Sequence, residues 1–207
     1  MQACTEPNQA ADREDPCPLN LVLVGFMGCG KTTVGKHLAQ TCRLQFVDLD
    51  EVIVQAAGGR SIPEIFAAEG EPGFRRRESE ALRSLLGREG MVVATGGGIV
   101  SADENLPLLR SLGCVVWLDA DMEDMWQRVC ANRNRPMLHV ENPRAEAERL
   151  WRERRPRYAG VAHLRIETEG LSADEVACGV SASAAQYFAA RASGRDRQPA
   201  PCSGGGQ

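Results

Sequence analysis

Apolar and polar positions fall in blocks along this chain, each with the period of one kind of element. "LNLVLV" (residues 19–24) is a short, nearly continuous apolar run, as in a strand buried on both faces. Lys31 to Cys42 then places Val34 and Leu38 on one helical face. "LQFVDLD" reads as a second strand. "SIPEIFAAEG" opens with Ser61 and Glu64 at capping-box spacing, and "EPGFRRRESEALRSLLG" continues as a helix that stops at Gly87. "MVVATGGG" is a strand running into a glycine loop. "SADENLPLLRSLG" is a helix capped by Ser101, with Glu104 three residues on. After the strand "CVVWLDA" come a helix over residues 122–131, the irregular "NRNRPMLHVENP", and a charged helix over residues 144–154. "AHLRIET" is the last strand, and Ser172 with Glu175 caps a final helix ending near Ala190. Five apolar strands interleaved with helices predict an α/β fold with one parallel sheet covered on both faces. Ligands in such sheets bind beyond the carboxyl ends of the strands.

Composition narrows the class. The 207 residues suit one domain, expected over residues 19–190, with polar, disordered extensions at 1–18 and 191–207. A net charge of −4 argues against a general nucleic-acid binder, and "FRRRE" and "RERRPR" alone read as solvated helix faces. Eight cysteines without a C-x-x-C pair, and only three histidines, suggest reduced thiols rather than disulfides or zinc. The first eighteen residues have no basic start and no apolar core, so they do not read as a secretion signal. No apolar stretch is long enough to cross a membrane. A cytoplasmic monomer, without membrane or nucleic-acid partners, is expected.

Candidate chemistry begins at "GFMGCGKT", which satisfies G-x-x-x-x-G-K-[ST] over residues 25–32, after a strand and at the start of a helix. Glycines let backbone N–H groups turn inward, and the helix start adds positive potential for phosphate oxygens. The predicted cradle comprises Gly28, Cys29, Gly30, Lys31, Thr32 and Thr33, with Lys31 reaching the outer phosphates and the Thr32 hydroxyl on Mg²⁺. A nucleoside triphosphate is the expected ligand. A switch GTPase would need N-K-x-D, which is absent. A motor ATPase usually has an acid where "MVVATGGG" ends in glycine. Kinases of small metabolites remain, and they carry an arginine-studded lid, here residues 133–143.

Five further sets of residues need explaining, most of them with a plainer reading beside the functional one. Asp48 and Asp50 alternate at the end of the second strand, as a metal-supporting acid and a base, or with Asp50 as a helix cap. Arg75 and Glu78, three apart, read alone as a surface ion pair. Gly96, Gly97 and Gly98 let a ligand approach bare backbone. Arg154 precedes a proline expected to end its helix, and alone reads as a solvated charge. Phe66 and Phe74 sit at helical spacing with other apolar residues, as core or as a surface under a substrate ring.

Together, "GFMGCGKTT", "DLDE", "GRSIPEIFAAEGEPGFRRRESE", "TGGG", "RPML" and "RRPRY" resemble shikimate kinase over roughly residues 19–190. The resemblance implies a three-layer P-loop kinase fold, ATP as co-substrate with Mg²⁺, and transfer of phosphate to the 3-hydroxyl of shikimate. It implies that Asp50 contacts the shikimate hydroxyls and takes the acceptor proton, and that Asp48 supports Mg²⁺. Arg75 and Arg154 would bind the shikimate carboxylate. Glu78 would hold that arrangement, and Gly96, Gly97 and Gly98 would line the pocket. Arg135 matches a lid arginine that reaches the phosphates, and Arg128 an arginine against adenine. The lid reads "RPMLH" where leucine commonly follows "RP", and Arg157 stands where the family usually has leucine. The rival readings are a kinase of another hydroxy acid such as gluconate, or of a nucleoside monophosphate, and a nucleotide-binding regulatory module with a degenerate acceptor site.

Overall fold

The computed structural model describes residues 20–130 and 141–193. Five parallel strands form one sheet in the order β2-β3-β1-β4-β5. They are β1 (Leu21–Val24), β2 (Gln45–Asp48), β3 (Met91–Ala94), β4 (Cys114–Asp119) and β5 (Leu164–Glu167). Every residue of β1, β3 and β4 is buried, so both faces of the sheet centre are covered, as their unbroken apolar runs require. The edge strands β2 and β5 include exposed positions.

Helices α1 (Lys31–Cys42) and α7 (Ala173–Ala192) pack on each other, α1 against β2 and β3, α7 against β5. Helices α4 (Asn105–Leu112) and α6 (Pro143–Val161) pack on each other and on β4. Between β2 and β3 run α2 (Leu49–Ala56) and α3 (Ile62–Ser84), and α5 (Met122–Cys130) follows β4. Both predicted capping boxes form, Ser61 with Glu64 and Ser172 with Glu175.

Four local expectations are corrected. The two predicted helix pieces before Gly87 are one helix, α3, kinked at Gly70 and ending at Ser84. Ser101 does not cap α4: residues Ile99–Ser101 form a 3₁₀ turn and α4 starts at Asn105, whose buried Nδ2 donates to the Ile99 carbonyl (2.9 Å). Asp50 lies in the first turn of α2 rather than on the strand, and Asp48 is the cap, accepting from the Asp50 N–H (3.0 Å). Finally, α6 runs through Pro156 to Val161. Pro156 is exposed, so water can take the carbonyl freed there, while Leu150, Arg154, Tyr158 and Val161 bury the opposite face. That packing offsets the roughly 3 kcal/mol that an interior proline costs.

Candidate active site

The loop after β1 has glycines where no other residue fits. Gly25, Gly28 and Gly30 have φ of 146°, 82° and 93°. A Cβ on Gly25 would stand 2.6 Å from the Leu118 carbonyl oxygen, and one on Gly28 2.6 Å from that of Met125. This tight loop opens directly into α1, whose first residue is Lys31. The Lys31 ammonium is buried and donates to the carbonyls of Gly25 (2.8 Å) and Phe26 (2.9 Å), with the Cys29 sulfur at 3.5 Å. These acceptors are neutral, and an anionic phosphate oxygen makes a stronger partner. Thr32 follows, its hydroxyl donating to the Asp48 carboxylate (3.2 Å). Beside the loop lies a cavity of about 230 Å³ lined by Cys29, Gly30, Thr33, Arg128 and Thr168 among others. Arg128 reaches across to the Gly28 carbonyl (3.3 Å).

Oxygen donors suit a hard cation at Thr32 and Asp48. Among the described residues no group of three His, Cys, Asp or Glu side chains could hold a metal. Mg²⁺ is commonly held by one or two protein oxygens together with substrate phosphates and water.

A second cluster stands beyond β2 and β3. Arg75, on α3, is bonded through one nitrogen to Glu78 and through two others to Glu71 (3.0 and 3.3 Å), with its Cζ 5.5 Å from the centre of the Phe74 ring. Glu78 is only 1% exposed. A Cβ on Gly96 would stand 2.7 Å from a Glu78 oxygen and 3.3 Å from one of Asp50, so both carboxylates abut that glycine. From the other side, Arg154 on α6 donates to the Gly97 carbonyl (3.4 Å), and Tyr158 donates to the same oxygen. Arg154 is 3% exposed and its Nε has no hydrogen-bond partner.

The electrostatics follow from burial. Burial raises the Glu78 carboxyl above its ordinary value; Arg75 opposes this, and the Asp50 carboxylate reinforces it. Burial alone would lower Arg75, but Glu78 and Glu71 outweigh it and hold that guanidinium above its usual value. Arg154 is pushed down, first by burial, with Arg75 adding to the effect. Burial likewise raises the Tyr158 phenol, so Tyr158 stays a neutral donor. The half-buried Arg75 and buried Arg154 guanidiniums thus sense each other, and Arg154 is short of an acceptor. The arrangement asks for an anion.

The family model for shikimate kinase matches residues 27–184. The chain belongs to the shikimate kinase family. Shikimate kinase of Aromatoleum aromaticum is 47% identical over 147 residues, covering 71% of this chain and 83% of that protein. The solved shikimate kinase from Acinetobacter baumannii in complex with shikimate superposes with a TM-score of 0.78 at 42% identity, over 83% of this chain and 94% of that one. A gluconokinase from Sinorhizobium meliloti aligns with a TM-score of 0.58 over 86% of this chain and 98% of its own, and at 16% identity shares the fold alone.

Within this shikimate kinase fold, the cradle residues, Asp48, Asp50, Arg75, Glu78, Gly96, Gly97, Gly98 and Arg154 all stand at the ends of β1, β2 and β3 or face them. Arg128 stands at the cradle. Arg135 and residues 133–140 of the expected lid lie outside the described residues. Asn142 caps α6, accepting from the Ala145 N–H (3.1 Å), and Pro143 begins that helix. Burial overturns the plainer reading of Glu78 and Arg154 as surface charges; Arg75 is half-buried, and its i,i+3 pair with Glu78 forms. Phe74 is buried and Phe66 packs on it at 4.5 Å between ring centres, so both belong to the core. Tyr158 and Glu71 were not singled out from sequence. Tyr158 lies four residues after Arg154, and Glu71 four before Arg75; that spacing was the available signal.

Proposed function

We propose that this chain transfers the γ-phosphoryl group of ATP to the 3-hydroxyl of shikimate through the residues assembled at the two clusters. The observation that carries this reading is the pair Arg75 and Arg154: two guanidiniums on different helices, the first half-buried and the second buried, converge on one glycine loop, and the Arg154 Nε lacks a partner. A planar carboxylate is the natural complement of such forked donors. Asp50, against the same loop at Gly96, accepts hydrogen bonds from ring hydroxyls and takes the proton of the acceptor hydroxyl. Glu78 holds Arg75, and Gly96, Gly97 and Gly98 line the pocket. Gly28, Cys29, Gly30, Lys31, Thr32 and Thr33 bind the phosphates, with Arg128 beside the base. Arg135, outside the described residues, is the further candidate to neutralise the phosphates. When bound at Thr32 and Asp48, Mg²⁺ supplies charge neutralisation for the phosphates. The protein's own work is positioning, neutralising and excluding water, which is what phosphoryl transfer mainly requires.

We further infer a cytoplasmic monomer that acts on small molecules without nucleic-acid or membrane partners. No helix among the described residues is long and apolar enough to cross a membrane. A coupled ADP-release assay with shikimate, gluconate and AMP as alternative acceptors tests the function, with Asp50→Asn as the control. Turnover is expected with shikimate only. Asp50→Asn should lower kcat by about 10²- to 10⁴-fold, the usual contribution of a positioned base, while ATP binding survives. Equal turnover of gluconate, or near-normal kcat in Asp50→Asn, would sink the corresponding part of the reading.

A further inference from the structure

Behind the glycine loop, two consecutive carboxylates join the two helices that carry the acceptor arginines. Glu104 accepts from Ser79 (3.0 Å) and Arg83 (2.5 Å), both on α3. Asp103 accepts from Arg157 on α6, and Arg157 also donates through Nε to the carbonyl of Val100, in the 3₁₀ turn that follows the glycines. On α3, Ser79 follows Glu78 directly, and its hydroxyl also reaches the Arg75 carbonyl (3.2 Å). On α6, Arg157 lies three residues after Arg154 and one before Tyr158, so all three share the face that meets the loop.

The Arg157–Asp103 pair alone is weak, because Asp103 is 88% exposed and water screens it. The bond to Val100 is different. Val100 is fully buried, and its carbonyl belongs to the turn that sets the path of Gly96, Gly97 and Gly98. A guanidinium holding two acceptors at once fixes the helix in two directions. The carboxyl end of α6 is anchored separately, by Arg110 to the carbonyls of Gly160 (2.5 Å) and Val161 (3.3 Å). Arg157 therefore shares the stretch beside Arg154 with Tyr158, bonded to the Gly97 carbonyl, and Arg155, bonded to Asp119 (3.2 Å), and supplies the hydrogen bond from there to the 3₁₀ turn.

We propose that Arg157 is a positioning residue for acceptor binding: with Asp103 and the Val100 carbonyl it fixes α6 against the glycine loop, and so sets where Arg154 stands relative to Arg75. This rests on the reading of Arg75 and Arg154 as the carboxylate-binding pair. Two measurements on the full chain test it: shikimate binding by calorimetry, and steady-state kinetics varying shikimate and ATP separately. Arg157→Leu should raise both Kd and KM for shikimate about tenfold, within the cost of misplacing a binding group by less than 1 Å. The kcat at saturating shikimate and the KM for ATP should stay unchanged. Arg157→Lys, which keeps the charge and loses the fork, should recover part of the affinity. Asp103→Asn should weaken shikimate binding slightly, and should add nothing to Arg157→Leu, since the contact is already broken. Asp103 is exposed, so this variant carries the test should Arg157→Leu not fold.

Unchanged shikimate affinity in Arg157→Leu would overturn the proposal, as would a parallel rise in the KM for ATP. Multiplying effects of Asp103→Asn and Arg157→Leu would overturn the brace. Absence of shikimate binding to the unaltered protein would overturn the carboxylate reading itself, a different result from any of these.

Discussion

A guanidinium that is 3% exposed and keeps one nitrogen without a partner is costly to hold in a fold. Arg154 is therefore better explained by a ligand than by stability. Arg154→Met, which keeps the volume and removes the charge, should leave thermal unfolding unchanged or raise it, as replacing a poorly satisfied buried charge often does. The same variant should lose measurable shikimate binding in calorimetry while ATP binding persists; retained shikimate binding would remove Arg154 from the acceptor site. Glu78 behaves in the opposite way. Its removal leaves Arg75 half-buried and paired only with the more exposed Glu71, so Glu78→Ala should cost about 1–3 kcal/mol, read from denaturant unfolding. Neither outcome is legible in the sequence. "FRRRE" holds three successive arginines, yet Arg76 stays exposed, Arg77 pairs with Glu69, and Arg75 alone turns inward to Glu78. Spacing marks which residues can meet on a helix; only the packing of α3 against the glycine loop decides which of them is buried.

Elements are plainer in the sequence than their ends. The strands show in the sequence because burial on both faces demands unbroken apolar runs, and the capping boxes show because their chemistry is local. The starts of α2 and α4 turn on short-range bonds, Asp48 to the Asp50 N–H and Asn105 to the Ile99 carbonyl, among caps that look alike in sequence, while the passage of α6 through Pro156 depends on tertiary packing. The loop after β3 is a case between. Three glycines signal close approach, but the approaching groups are the protein's own side chains at two of the positions. A Cβ on Gly98 would stand 2.1 Å from an Arg75 nitrogen, as one on Gly96 would crowd Glu78. The tip of Arg75 can move aside only by loosening its bond to the buried Glu78, so Gly98→Ala should lower the unfolding temperature by a few degrees, about 1 kcal/mol. The displaced guanidinium should also raise the KM for shikimate about tenfold or more, with the KM for ATP unaffected. Normal shikimate kinetics in Gly98→Ala would mean that Arg75 need not occupy the place seen here.

At the scale of the whole molecule, the domain boundary can be set by hydrogen bonds rather than by composition. Asn20 is fully buried at the head of β1. Its amide donates to the carbonyls of Arg88 (2.6 Å) and Leu112 (2.9 Å), and its side-chain oxygen accepts from the Met91 N–H (2.9 Å). One side chain thus ties the starts of β1 and β3 to the end of α4. At the other end, α7 runs to Ala192, two residues beyond the expected stop, and packs on α1, the helix that begins at Lys31. We propose that residues 19–193 hold everything the reaction needs. A protein trimmed to that range should keep kcat and both KM values within about twofold, because polar termini usually tolerate removal. Trimming one step further gives the contrast. A protein beginning at residue 21 leaves the Met91 N–H without its buried acceptor, at a cost of about 1–3 kcal/mol. That corresponds to an unfolding temperature lower by roughly 2–4 °C per kcal/mol for a chain of this size. A large loss of activity already in the 19–193 protein would show that the extensions contribute to the site, and the boundary at Asn20 would then be one of packing alone.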